Sequence, residues 1–126
     1  MRRGDVYMTA YTFPHERGVG ASRHHAEKER PVLVLQNDAD NDNPHYPLVM
    51  AAAITSQKTQ RVYQQDVVLP AGEANLRQDS KVLLGLAQPF LKAALVRKVG
   101  ALSPTKMREV DLKLSRLLAL PQHSGS

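Results

Sequence analysis

The 126-residue chain contains no cysteine, so any chemistry it performs rests on arginine, histidine, carboxylate and hydroxyl side chains. Disulfide frameworks, thiolate zinc sites and cysteine nucleophiles are excluded. His24-His25 are adjacent, but a zinc pair of the His-Glu-x-x-His type needs histidines one helical turn apart, and no such pair follows. Asp38-Ala39-Asp40-Asn41-Asp42-Asn43 begins like a calcium loop. Asn43 stands where that loop needs glycine, and Val49 where it needs a bidentate glutamate. A turn between strands explains the stretch better. Gly18-Val19-Gly20 opens a dinucleotide fingerprint that Arg23 breaks. Glu16, Glu27 and Glu29 lie in a polar segment without the apolar setting that raises a carboxyl pKa for acid catalysis.

The elements that must position these residues follow from periodicity. Val6, Met8 and Ala10 alternate with Tyr7 and Thr9, a half-buried strand that Phe13-Pro14 ends. His15 to Glu29 is a long polar loop. Pro31 to Gln36 is a continuous apolar run, a strand buried on both faces with Pro31 at its first position. Asn37 to Pro44 reads as a turn. Leu48–Thr55, Val62–Leu69, Lys81–Leu86 and Ala93–Val99 read as further strands. Ser103 suits a helix N-cap and Pro104 the first helical position. Met107, Val110, Leu114, Leu117 and Leu118 form an apolar stripe, so a helix runs from about Pro104 to Ala119. Pro121 stops it, and Gln122 to Ser126 form a loose tail.

Strands followed by one amphipathic helix give an α+β fold, mostly β, with a small barrel closed by the helix. The length fits one domain spanning 1–126. Hydrophobic residues at 42%, with aromatics at 5% and no tryptophan, imply an aliphatic core. The net charge of +5 favours polyanionic partners. Met1-Arg2-Arg3-Gly4-Asp5 has no apolar segment behind it, and Leu48 to Ile54 is too short to span a bilayer. The expectation is a cytoplasmic protein without a membrane partner.

Three segments carry a family likeness: Arg2-Arg3-Gly4-Asp5-Val6-Tyr7, Arg30-Pro31-Val32-Leu33-Val34-Leu35-Gln36-Asn37-Asp38, and Ala52-Ala53-Ile54-Thr55-Ser56. In this order the chain resembles the MazF/PemK family of toxin endoribonucleases. Asp79-Ser80-Lys81-Val82-Leu83 and the terminal helix with Met107 and Leu118 fit as well. The resemblance implies a small SH3-like barrel of the CcdB-PemK type with a C-terminal helix. It implies a homodimer with a groove for single-stranded RNA, cleavage without metal or other cofactor, and a cognate MazE-like antitoxin. By position, it places the catalytic arginine on Arg30 and the catalytic threonine on Thr55. Ser80, Gln88, Ser22, His25 and Lys58 are the candidate RNA contacts.

The implied chemistry is physically sound. Metal-free RNA cleavage uses the ribose 2′-OH as nucleophile and accumulates negative charge on phosphorus oxygens. A guanidinium offers forked donors to two such oxygens. It holds its proton so firmly that it is a charge stabiliser more than a proton donor. A threonine hydroxyl can orient the 2′-OH or bind the phosphate. The chain departs from the family pattern in two places. The loop before Arg30 is longer and holds His24 and His25, a pair able to supply acid–base catalysis at neutral pH. Gln88 comes about two residues late by the family pattern and is followed by Pro89-Phe90, and Ala94-Leu95 replaces an Arg-Leu pair. These departures keep open a second reading, a non-catalytic nucleic-acid- or protein-binding module. A third, a gyrase poison resembling CcdB, needs an aromatic and apolar C-terminus, which Pro121 to Ser126 does not provide.

Overall fold

A computed structural model describes residues 1–10 and 28–121. Within them lie seven strands and two α-helices: β1 (Asp5–Ala10), β2 (Glu29–Val34), α1 (Asp38–Asp42), β3 (Leu48–Thr55), β4 (Asp66–Leu69), β5 (Ser80–Leu83), β6 (Gln88–Leu91), β7 (Arg97–Ala101) and α2 (Pro104–Leu117). The sheet runs β4-β5-β3-β2-β1-β7, with β6 also on β3, and every pairing is antiparallel.

The long strand β3 organises the sheet. One side pairs with β2 through Ala51, Ala52 and Ala53. Its other side carries β6 along Leu48–Ala51 and then β5 at Ile54 and Thr55. The two ends of the sheet path curl towards each other. Asn75, in the turn after β4, donates its side-chain N–H to the Val99 carbonyl of β7 at 3.0 Å. The backbone at Gly100 lies so close to this turn that a Cβ there would sit 2.6 Å from the Ala74 carbonyl oxygen. The result is a curled half-barrel.

Strand pleating divides the core. Leu33, Ala52, Ile54, Val82 and Val67 face α2, where Val110 is buried and Met107 and Leu114 pack beside it. Val32, Val34, Val49 and Ala51 fill the opposite face with Phe90 and Leu95. The apolar run of β2 is thus buried on both faces, as its composition predicts. Ser103 caps α2: its hydroxyl accepts from the Lys106 N–H at 3.3 Å and donates to Glu73 at 2.8 Å. A carboxylate at a helix N-terminus is favourable.

Several expected boundaries shift, each for a local reason. Pro31 sits third in β2, not first, where β2 pairs with β1 but not yet with β3. Asn37 to Pro44 is not a plain turn: Asn37 caps α1 by accepting from the Asp40 N–H at 2.9 Å. β4 starts at Asp66 because Tyr63 and Asp66 first close a turn, with Asp66 N–H donating to the Tyr63 carbonyl at 3.0 Å. Leu84–Leu86 and Lys92–Ala94 form 3-10 turns, so β5 ends early and β7 begins late. β6, with Pro89 inside it, was not expected. Leu117 and Leu118 are exposed, so the stripe of α2 ends at Leu114. The expected strand end at Phe13-Pro14 and the loose tail lie outside the described residues.

The Arg-Gly-Asp opening clips the N-terminus to three elements. Gly4 takes a left-handed φ of 95°, and Asp5 N–H closes the turn onto the Arg2 carbonyl at 3.0 Å. Arg3 then donates its backbone N–H to Asp38 at 2.7 Å, its side chain to the Leu35 carbonyl at 2.8 Å, and pairs with Asp111 of α2 at 2.6 Å.

A candidate nucleic-acid groove and the family it belongs to

Beyond Val32 and Ala53 the β2–β3 ladder stops, and the strand ends open into a groove of about 990 Å³. Past that point the two strands keep other partners: Arg30 stands opposite Thr9 of β1, and Thr55 opposite Lys81 of β5. Arg30 and Thr55 both line the groove. Alternation places Arg30 on the side of Val32 and Thr55 on that of Ala53, the same face of the sheet. Two residues 25 positions apart in the chain thus line one groove.

The Thr55 hydroxyl is oriented by its own turn: it accepts the Gln57 N–H at 3.1 Å. Its proton remains available to donate. Lys58 follows in the same turn with a left-handed φ of 52° and lines the groove. Ser80 also lines it, buried, with its hydroxyl donated to the Gln78 carbonyl at 2.9 Å. Gln88 does not line the groove. It pairs with Ala51 on β6, beyond the 3-10 turn that closes the groove at Leu86. Ser22 and His25, together with His24, lie outside the described residues.

The lining is strongly basic. Lys28, Arg30, Lys58, Arg61, Arg77 and Lys81 contribute cations against two acids, Glu29 and Asp66. Both acids are already paired. Glu29 binds Arg97 at 3.0 Å on the rim. Asp66 binds Lys81 at 3.4 Å, with only 5% and 6% of the two side chains exposed. Sequence reasoning missed this pair and the groove-lining Arg61, Tyr63 and Arg77. A detectable signal existed in Lys81, a cation inside an apolar strand, which is rarely buried without a partner.

A curled antiparallel half-barrel sealed by a helix, with a cationic groove at its strand ends, defines a compact domain suited to a polyanion. Residues 2–118 match the family described as the PemK-like, MazF-like toxin of type II toxin-antitoxin systems, and the chain belongs to that family. It is similar to Endoribonuclease MazF2 of Mycobacterium bovis, 38% identical over 93 residues that span 74% of this chain and 81% of that protein. Among solved structures it is similar to a mycobacterial endoribonuclease in complex with its cognate antitoxin, at a TM-score of 0.71 and 20% identity over 98% of this chain and 99% of that one. A MazE-MazF structure from Deinococcus radiodurans matches at a TM-score of 0.71 and 22% identity, covering 96% and 97%. These last two likenesses establish the fold. No helix among the described residues is long and apolar enough to cross a membrane.

Proposed function

We propose that this chain is a cytoplasmic endoribonuclease toxin that cuts single-stranded RNA at selected sequences, acts as a homodimer, and is held in check by a cognate antitoxin. The observation that supports the reading is the presence of Arg30 and Thr55 in one groove lined by six cationic side chains. In the reaction, the ribose 2′-oxygen attacks the adjacent phosphorus and loses its proton. The bond from phosphorus to the 5′-oxygen breaks, leaving a 2′,3′-cyclic phosphate and a 5′-hydroxyl that takes up a proton. The Arg30 guanidinium stabilises the charge that builds on the non-bridging oxygens. The Thr55 hydroxyl, its oxygen engaged by Gln57, donates to the phosphate and fixes it in line. This chemistry needs no metal, because the guanidinium supplies the positive charge.

The test incubates wild-type protein and Arg30→Ala with random-sequence single-stranded RNA in excess EDTA. Wild type is expected to cut at a restricted set of sites, and Arg30→Ala to lose on the order of 100-fold or more in rate. Equal cutting by both removes Arg30 from the mechanism. A wild-type protein that cuts none of the pool favours a binding module.

A further inference from the structure

Tyr63 is the one aromatic side chain among the described residues that line the groove, and 60% of it is exposed. The turn that carries this ring is held. Its backbone N–H donates to the Asp66 carboxylate at 2.8 Å, and its carbonyl accepts the Asp66 N–H at 3.0 Å. The Lys81 ammonium lies over the ring, 6.0 Å from its centroid. Lys81 is itself fixed by Asp66 at 3.4 Å and by the Arg61 carbonyl. A buried ion pair therefore anchors the turn and leaves the rest of the ring to the groove.

We infer that Tyr63 is a stacking platform for one unpaired nucleobase of the bound RNA, preorganised by the Asp66–Lys81 pair. The inference rests on the endoribonuclease reading and adds to it the residue that takes a base. A rigid, open ring suits the face of any base, and stacking is how proteins commonly grip single-stranded RNA. Gln65 and Gln78 are among the residues that line the same groove. Each can donate and accept, which suits the edge of a base held on the ring. Arg61 and Arg77 lie beside them as cations for the flanking phosphates.

The test reads binding separately from cutting. The RNA that wild type cuts fastest is made with 2′-O-methyl groups throughout, so that it cannot react, and an abasic nucleotide is moved through it one position at a time. In wild type, one position is expected to cost roughly 5- to 150-fold in affinity when its base is removed. In Tyr63→Leu, binding of the intact RNA falls by a similar factor, and the abasic change at that position costs nothing further. Tyr63→Phe restores most of the lost affinity. Equal abasic costs in wild type and Tyr63→Leu at every position overturn the platform, even if Tyr63→Leu binds weakly, because a purely structural role leaves base and ring uncoupled. Should Tyr63→Leu fail to fold, Tyr63→Trp supplies the only indole in a chain without tryptophan. RNA must quench its fluorescence, and no change overturns the inference. If wild type cuts no RNA, the probe is the member of a random 2′-O-methyl pool that it binds tightest, and coupling there would retire the nuclease reading and leave the platform standing. A protein that neither binds nor cuts retires both.

Discussion

Lys81 stands directly across the β3–β5 ladder from Thr55, yet its ammonium is turned to Asp66 and the Arg61 carbonyl. A cation beside Thr55 thus serves the wall of the groove. This follows from burial. A buried ammonium with a carboxylate partner and a carbonyl is already satisfied, and moving it to a ligand would leave Asp66 uncompensated.

The buried pair should behave as a unit. Asp66→Asn strands the Lys81 ammonium in a site where little of it reaches water. Such a loss is expected to cost about 3–5 kcal/mol of stability. The double change Asp66→Asn with Lys81→Met removes both charges and should recover much of that loss. Urea denaturation of the two single variants and the double variant checks this. Additive single losses would mean that the two side chains are not coupled.

Thr55 separates a hydroxyl effect from a packing effect. Thr55→Ser keeps the oxygen that accepts the Gln57 N–H and the proton that it donates. Thr55→Val keeps the shape and loses both. Single-turnover cleavage at saturating RNA should fall on the order of 100-fold for valine and only a few-fold for serine. Comparable rates for the two variants would leave the hydroxyl without a role.

Much of this was legible before any coordinates. The apolar run at β2, the β3 boundaries and the Ser103-Pro104 helix start are local signals, and each survived because local preference and tertiary burial agree. Arg30 and Thr55 follow from the family resemblance alone, and both line the groove. What was not legible depends on pairing across the sheet. Tyr63 and Asp66 read as part of a weakly patterned strand from Val62 to Leu69. Their turn is decided by a carboxylate bonding a backbone N–H three residues earlier. Lys81 reads only as the first residue of a strand, because the carboxylate that buries it lies 15 residues away in sequence. β6 was missed because a strand holding Pro89 has weak patterning, and its pairing is with the first half of β3 alone.

Asp38 links acidity to the N-terminal clip. The Arg3 backbone N–H holds its carboxyl below the usual range, helped by the Asn41 side chain and the charge of Arg2 and opposed by slight burial. A depressed pKa in the folded state means that the unfolded chain takes up the proton first. Its stabilisation is therefore full above the ordinary aspartate value of about 4 and fades as pH drops through the lower folded value. Asp38→Asn should melt below wild type near neutral pH, with the gap closing in acid. Melting curves across that range decide it, and a gap independent of pH would show that the carboxylate charge is irrelevant to the clip.

The seam of the half-barrel offers the sharpest steric test. Gly100 lies in β7 where the strand meets the turn after β4. An added Cβ would come 2.6 Å from the Ala74 carbonyl oxygen, 2.8 Å from its carbon and 3.0 Å from the Asn75 side-chain nitrogen. The first two are backbone atoms, so the conflict cannot be relieved by a rotamer change. Either β7 shifts or the turn does, and the turn carries the Asn75–Val99 hydrogen bond and Glu73, which accepts from the Ser103 hydroxyl at the cap of α2. Gly100→Ala should thus cost about 1–3 kcal/mol, in the range of overpacking a tight site. Gly85, where nothing lies within 4 Å of a Cβ, serves as the control, and Gly85→Ala should stay close to wild type. Denaturation midpoints for the two variants make the comparison, and equal stability would mean that the sheet ends do not meet as closely as the Gly100–Ala74 contact requires.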